Sequence, residues 1–564
     1  MAVKVLGIWD GHDSGAALME GDKILFAVNE ERLTRRKLEI AFPVRSIRAC
    51  LEYTGTPPEE IREFAASTWD FAKTLTRVFP SLKEEYYLIR RRKKGPGRVS
   101  FLKKRLKYRL TEYSPSRLTK LISRNRLQRS LEKLGFRDFR LHMVDHHLSH
   151  LTAAMFCSGF ESGLAVSLDG LGDGLSGCIF RFGGGKFERI ASISARHSLG
   201  IFFEHVTNLM NMRELEDEGK VMALANYAYP VEDAENPMMD LVGVEGLSLR
   251  SRYSSLELYN VLGGILWSYP SEQFAYMAQR TLEVKILELA QNAIKATGLN
   301  CLCLSGGVFS NVKANRLLRM LPEVERCFVF PHMGDGGLAL GAALEVNYRL
   351  NGVHKVPLEQ IFLGPGYTSG KIESALDESG LSYKKSTNII REVAEIISGG
   401  EIVMWFQGRM ELGPRSLGAR SILARPDSEA IKNELNLCLK KRVWYQPFCP
   451  SMLEEDAKEI LEDYDGYPNE FMTMAYMVRE DKRDLVRGVI NVDGSCRPQI
   501  VCRKNTLYYS LIREVKRLTG HGIILNTSFN LHGEPLVCFP QDAVKTMVDT
   551  GSAYMAIDDF LVRR

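Results

Sequence analysis

The chain has 564 residues, of which 45% are hydrophobic and 25% charged, and a formal net charge of +5. That length exceeds one ordinary core and predicts about three to four domains or subdomains. No apolar run reaches the roughly 20 residues of a membrane span, and Asp10, His12 and Asp13 break the N-terminal apolar run before a secretory segment is complete. Eleven scattered cysteines with no CxxC pair exclude a zinc ribbon and a disulfide framework, so the expectation is a cytoplasmic protein with reduced thiols.

In chain order, VKVLGIW is an apolar strand pattern ending at Asp10-Gly11, followed by AALME, a GD turn and ILFAVNEE. From Arg90 to Arg109 the chain carries eleven Lys or Arg and no acid, so the rest of the molecule is net acidic. Such a patch reads as a solvated helical insertion over about 80–135; nucleic-acid binding is not expected, because aromatics are few and no nucleic-acid motif is present. LAVSLDG then ends at Asp169-Gly170, followed by LSGCIFRF, a GGGK turn and FERIASI. Aligning the DG pairs sets Asp10-Gly11 on Asp169-Gly170 and Ser14-Gly15 on Ser176-Gly177, an internal repeat that predicts a duplicated α/β domain.

Helical patterns lie between and after these units: HLSHLTAAMFCSGF, and SEQFAYMAQRTLEVKILELAQNAIKATG with its glycine stop. CLCLSGGVFSNVKANRLLRML and ERCFVFPHMGDGGLALGAALEVNYRL each read strand, Gly turn, helix, which argues a mixed or parallel sheet with ligand loops at strand ends. The Gly- and Pro-rich NGVHKVPLEQIFLGPGYTSG marks a boundary, giving domains 1–355 and 356–564. Beyond it, short strands are joined by loops dense in Arg, Asn, Ser and Gly, the pattern of a separate α/β domain.

VDHHLSH places His146 and His150 at i and i+4, on one helix face and close enough to share an ion, while His147 points elsewhere. A zinc-peptidase pattern would need Glu where His147 stands. Asp169 at a strand end and Asp335 in a Gly-rich turn complete a His2Asp2 set suited to iron, manganese or zinc, though each Asp alone reads equally as a turn former. Gly306 and Gly307 with Asn311 open a helix and offer a phosphate cradle, and Lys220 is a candidate phosphate cation or a surface lysine.

The segments WDGHDSGAAL, NEERLTRRK, VDHHLSHLTAA, SLDGLGDG, EDEGKVMALANY, LSGGVFSNVKAN, GDGGLALGAA, GPRSLGARSILA, KKRVWYQPFCPSM and LNTSFNLHGEPLV, in this order and nearly end to end, resemble the NodU/CmcH O-carbamoyltransferases. The resemblance implies an actin/Hsp70-like (Kae1-like) N-terminal domain and a YrdC-like α/β C-terminal domain. It implies that the C-terminal site forms carbamoyl adenylate from carbamoyl phosphate and ATP with Mg, and that the N-terminal site moves the carbamoyl group to an acceptor hydroxyl. His146, His150, Asp169 and Asp335 match its metal ligands, with iron first and manganese or zinc as alternatives. His12 matches the catalytic histidine, Lys37 an acceptor-pocket segment, and Lys220, Gly306, Gly307 and Asn311 the nucleotide-contacting segments.

In the second domain the resemblance points to Arg415, Arg420, Lys440, Arg442, Arg497, Asn526 and Ser528, a cation density that two highly anionic substrates require. The family's K-x-R-E-x-F-R-P-F is altered here to Val443, Tyr445 and Gln446 at the Glu, the aromatic and the second Arg. The expected partner is a small-molecule hydroxyl acceptor, a natural product or sugar, with no membrane and with a homodimer left open. A threonylcarbamoyl tRNA-modification enzyme uses the same two domain types, but usually in the opposite order or on separate chains.

Overall fold

The computed structural model describes residues 2–94, 110, 112–467 and 469–564. The chain divides into two compact units, Met1–Glu30 with Leu38–Leu358, and Glu31–Lys37 with Glu359–Arg564. Residues 95–109, the greater part of the basic stretch, lie outside the described residues.

The first unit is built on two five-stranded mixed sheets. One contains β1 (Lys4–Trp9), β2 (Gly15–Glu20), β3 (Lys23–Asn29), β4 (Glu63–Ser67) and β5 (Arg140–Val144) in the order β3-β2-β1-β4-β5. The other contains β6 (Ser162–Gly172), β7 (Leu175–Gly183) and β8 (Lys186–Ser194). After a small hairpin of β9 (Val242–Glu245) and β10 (Ser248–Ser251) it is completed by β11 (Cys301–Ser305) and β12 (Arg326–Val329), in the order β8-β7-β6-β11-β12. Both sheets have the same plan: β1 and β6 each run antiparallel to the next strand and parallel to a strand far along the chain. Trp9 pairs with Gly15 and Leu168 with Gly177, so Asp10 and Asp169 are equivalent positions, the register implied by the repeat.

Central strands buried on both faces carry runs such as VLGIW, every residue of which is buried. Two glycines let backbone touch backbone. A Cβ on Gly7 would sit 1.9 Å from the Ala339 carbonyl, and one on Gly341 would sit 1.9 Å from the Ser149 carbonyl. Helix Leu338–Asn351 therefore rests directly on β1 and on helix His146–Cys157, and Thr152 Oγ1 donates to the Gly341 carbonyl at 2.8 Å. These contacts bring the starts of both helices, and the residues on them, to one end of the sheets.

Helices Phe71–Val78, Ser81–Arg90 and Arg117–Lys133 fill the crossover between β4 and β5. Two of these helices, Ser81–Arg90 and Arg117–Lys133, fall within residues 80–135, the insertion read from the sequence. Arg90 pairs with Glu204 (2.8 Å) and Glu214 (3.3 Å) and Arg91 with Glu216, whereas Arg92, which donates to Asn211 Oδ1 (2.9 Å), and Lys93 and Lys94 are exposed.

The second unit has one eight-stranded mixed sheet. Its strands are β13 (Tyr383–Lys385), β14 (Val403–Phe406), β15 (Arg420–Ala424), β16 (Cys449–Met452), β19 (Gln499–Ile500), β20 (Ile523–Ser528), β21 (Tyr554–Ile557) and β22 (Phe560–Arg563). Strands β17 (Tyr476–Met477) and β18 (Ser495–Cys496) form a separate pair. Helices Ile389–Ser398 and Thr506–Thr519 bury Ile389, Val393, Ile397, Leu511 and Val515 against Trp405 and Leu423 of the sheet. Among the described residues no helix is long and apolar enough to cross a membrane.

Candidate functional site

Asp145 directly follows β5 and caps the next helix, its carboxylate accepting the Leu148 N–H at 2.9 Å. The helix therefore starts at His146, and His146 and His150 face the same way. Asp169 follows the paired part of β6, and Asp335 opens the turn before helix Leu338–Asn351. Four donor atoms, one each from His146, His150, Asp169 and Asp335, lie within 4.8 Å of one another. His146 Nε2 is 3.2 Å from Asp169 Oδ2 and 3.7 Å from Asp335 Oδ1; His150 Nε2 is 3.5 and 3.6 Å from the same oxygens.

The surroundings orient each ligand. Thr68 Oγ1 is 2.9 Å from His146 Nδ1 and Ser305 Oγ is 3.3 Å from His150 Nδ1, so both rings turn Nε2 toward the carboxylates. The Gly307 N–H donates to Asp169 Oδ1 at 2.9 Å, leaving Oδ2 facing the histidines. Gly306 and Gly307 approach so closely that a Cβ on Gly306 would lie 2.2 Å from the Leu168 carbonyl; Gly306 has φ +101°. The Asp173 carboxylate accepts the N–H groups of His146 (3.0 Å) and Trp69 (2.8 Å) and is pushed up to about 7 by burial and by Asp70 and Asp145.

Electrostatically the four groups are made for one another. Burial opposes charge on His146, yet Asp335 and Asp169 outweigh it and raise the imidazole to about 9. Burial likewise opposes charge on Asp169, but the hydrogen bond from His146 and the nearby His150 imidazole hold it well below the usual carboxylate range. His150 Nε2 is buried without a hydrogen-bond partner. A buried orphan nitrogen facing two carboxylate oxygens fits a divalent cation, and the mixed N/O donor set suits a borderline or hard one. His147 is a core histidine outside the set of four: its Nδ1 is 3.0 Å from Ser167 Oγ, and burial together with His146 pushes it down to about 3.

His12 projects from the loop after β1, with Nε2 3.2 Å from Asp335 Oδ2. Asp335 thus offers one oxygen to the histidine pair and the other to His12. Burial would lower the His12 pKa, but Asp335 and Asp13 prevail and raise it. Lys220 is nearly buried and pairs with Asp217 at 2.8 Å. Asn311 caps helix Val312–Arg319 through the Ala314 N–H and exchanges side-chain hydrogen bonds with Gln279. Lys37 lies in the Glu31–Lys37 segment of the second unit, 3.8 Å from Glu31.

In the second unit Arg415, Arg442 and Arg497 surround Cys449. Arg497 donates to its sulfur through Nε (3.1 Å) and Nη2 (2.8 Å), and Arg442 lies 4.4 Å over the Phe448 ring. Burial, reinforced by the neighbouring Arg497, lowers Arg415 and Arg442 to about 9. Arg415 Nε and Arg442 Nη2 are buried without partners, donors poised for an anion. Lys440, just after the π-helical turn Glu434–Leu439, donates to Asn530 Oδ1 (2.9 Å) and Ser528 Oγ (3.4 Å), and burial drives it well below the ordinary lysine value.

Two residues expected among the phosphate contacts have structural partners. Arg420 is fully buried and donates to the carbonyls of Gln407, Ala419, Pro365 and Gly408. Asn526 is fixed by Ser416, Ser451 and Gln499. Sequence reasoning missed Thr68, Ser305 and Asp173 around the histidines, and Glu411, whose Oε1 accepts the N–H groups of Leu417, Ala419 and Arg420 and so shapes the Arg415 loop. Thr68 follows β4 with φ +68°, a conformation that nothing in the sequence announces.

The first unit carries two histidines and two carboxylates in a duplicated α/β framework, and the second carries a cluster of arginines. Residues 4–344 match the family described as Carbamoyltransferase N-terminus and residues 394–564 the one described as Carbamoyltransferase C-terminus. The chain belongs to the carbamoyltransferase family and is a carbamoyltransferase. It is 32% identical to the nodulation protein NolNO of Sinorhizobium fredii, over 98% of this chain and 79% of that protein. It is 34% identical to the nodulation protein NolO of Bradyrhizobium diazoefficiens, over 75% and 79% respectively. An uncharacterized protein of Synechocystis sp. is 30% identical over 98% of this chain and 95% of its own length. Among solved structures, HypF from T. kodakarensis is 16% identical, with a TM-score of 0.33 over 62% of this chain and 49% of that one, too distant to bear on function.

Proposed function

We propose that the chain is an ATP-dependent O-carbamoyltransferase with a division of labour between its units. The single observation that carries the reading is the His146, His150, Asp169 and Asp335 cluster with His12 on its edge. In the first reaction, carbamoyl phosphate, ATP and water give carbamoyl adenylate, pyrophosphate and phosphate; in the second, an acceptor hydroxyl takes the carbamoyl group and AMP leaves. The first unit is read as an actin/Hsp70-like, Kae1-like domain, supported by its duplicated sheets, and the second as a YrdC-like domain, supported by the motif order.

In the second unit Arg415, Arg442 and Arg497 neutralise the phosphates, which lowers the cost of bringing two anions together. Lys440 and Ser528 hold the neighbouring loop. In the first unit, His146, His150, Asp169 and Asp335 would hold a divalent metal, iron first and manganese or zinc as alternatives, which would supply Lewis-acid polarisation of the carbamoyl group and positive charge for the adenylate phosphate. His12, oriented by Asp335, takes the proton of the attacking hydroxyl. Gly306 and Gly307 give the nucleotide access to bare backbone, with Lys220 and Asn311 supporting the segments on either side. Lys37 lines the acceptor path. The acceptor is a small hydroxyl compound, a sugar or natural product. Arg90 and Arg91 are already paired with carboxylates, which weighs against RNA as the acceptor.

The test is pyrophosphate release from ATP with carbamoyl phosphate and no acceptor, followed by label transfer from carbamoyl phosphate to a panel of simple glycosides. His150→Ala should keep the release and lose the transfer. No carbamoyl-phosphate-dependent release in the unaltered protein would sink the proposal, and loss of both reactions in the variant would sink the division of labour.

A further inference from the structure

His12 sits on a loop of only five residues between β1 and β2, and a proton acceptor is useful only if its ring is held within a few tenths of an ångström of its place. Two groups of contacts hold this loop from opposite sides. On the inner side is Trp9. Its indole Nε1–H donates to the His12 carbonyl at 2.7 Å. Its outer ring occupies the space where a Gly11 Cβ would fall, 2.1 Å away, so the loop wraps the indole and only glycine fits there. The same indole meets His146 edge to face, with 6.1 Å between ring centroids. One side chain therefore touches the His12 backbone, the residue before it and a candidate metal ligand.

On the outer side is Asp10. The repeat makes it the equivalent of Asp169, yet it offers nothing to the histidine cluster. It is 2% exposed and faces Lys73 (3.0 Å), Arg77 (2.8 Å) and Lys83 (2.8 Å). Lys83 also donates to the Asp10 carbonyl at 3.0 Å, and Arg77 ties on to the carbonyls of Ser67 and Thr68. Three cations on one carboxylate exceed what its own charge requires, so the cluster is more than a neutralised acid. All three come from helices Phe71–Val78 and Ser81–Arg90. Lys73 completes the link, its ammonium 3.9 Å over the Trp9 ring while it pairs with Asp10.

We infer that Trp9 is a positioning residue for His12, and that helices Phe71–Val78 and Ser81–Arg90 hold the His12 loop on Trp9 through Asp10. The extra helices between β4 and β5 thus serve the transfer site. Whatever acceptor is used, they fix the residue that takes its proton; that role for His12 rests on the function proposed above.

The test reads His12 directly, in the full-length protein labelled at histidine Cε1, with its NMR signal assigned by His12→Ala. Replacing Trp9 by benzothienylalanine keeps the shape of the side chain and removes only the N–H donor; Lys83→Met loosens the outer anchor alone. In each variant the His12 signal should shift or broaden while those of His197, His354 and His521 stay in place. An unchanged His12 signal in the first variant overturns the role of Trp9, and in the second the role of Asp10 and the helices. The reading needs no substrate. Pyrophosphate release should stay at the unaltered level in both variants, and its absence from the unaltered protein would overturn the proposed function while leaving the positioning result to stand or fall by itself.

Discussion

Asp10 and Asp169 stand at equivalent ends of equivalent strands, each followed by glycine, and the molecule uses them in opposite ways. Asp169 is met by two imidazoles and one backbone N–H and keeps an oxygen directed at the open centre of the cluster. Asp10 is met by two lysines and an arginine. The duplicated topology supplies two matching positions, and what docks on each decides its use. Over Asp169 it is helix His146–Cys157; over Asp10 it is the helices between β4 and β5. One carboxylate is left available for a ligand, and the other becomes the anchor of the loop beside it.

The comparison breaks most sharply at Asp169. Asp169→Ala removes one of four donors, and cobalt(II) titration should show affinity falling by more than the roughly 10- to 100-fold typical of an outer partner. Asp10→Asn should leave affinity for cobalt unchanged but strand three buried cations, and loss of the sole counter-ion of such a group costs about 3–5 kcal/mol. Thermal unfolding checks this second outcome. If Asp10→Asn weakened cobalt binding as severely as Asp169→Ala, the two loops would share one role after all.

The positions of this contrast were legible in the sequence; its chemistry was half legible. The DG pairs and the Ser-Gly pairs aligned the repeats because a strand end, a tight turn and a strand start each demand small or turn-forming residues, and the strand registers agree. The His2Asp2 set could be assembled because helical spacing puts His146 and His150 on one face and because the motifs match a family. The Asp10 cluster was hidden because its partners Arg77 and Lys83 lie 67 and 73 residues away, and only helix docking brings them together. β4 and β5 escaped notice because EFAAS and RLHMV are only five residues each, too short for a periodic signal to stand out. The sequence shows the charge of Arg420 but not the carbonyls it meets, because these come from loops that only the fold brings together.

A subtler way to sharpen the contrast lies at Thr68, which orients His146 from the side facing away from the carboxylates. Thr68→Val keeps the volume and removes the hydroxyl, so the ring loses its outer partner while all four donors remain. Cobalt affinity should fall by roughly tenfold, the lower end of the usual effect of an outer partner. A loss equal to that of Asp169→Ala would mean that Thr68 is itself a ligand.

The smallest effect, and the one with a signature in pH, belongs to Lys73. Its neighbours are Asp10, which favours its charge, and Lys83 and Arg77, which oppose it; burial is the largest influence, and the ammonium is pushed down to about 7. Between pH 7 and the ordinary lysine value the unfolded chain therefore binds a proton that the folded chain does not, so this group makes stability rise as pH increases through that range. Below pH 7 the folded protein must keep a third buried cation charged beside Arg77 and Lys83. Lys73→Met removes that cost and keeps a long apolar stem against Trp9, while Asp10 retains Arg77 and Lys83. The variant should melt at a higher temperature than the unaltered protein at pH 6, with the difference shrinking steadily toward pH 10. A difference that grew with pH would show that Lys73 is a net stabilising partner of Asp10, and that the carboxylate needs all three of its cations to hold the loop.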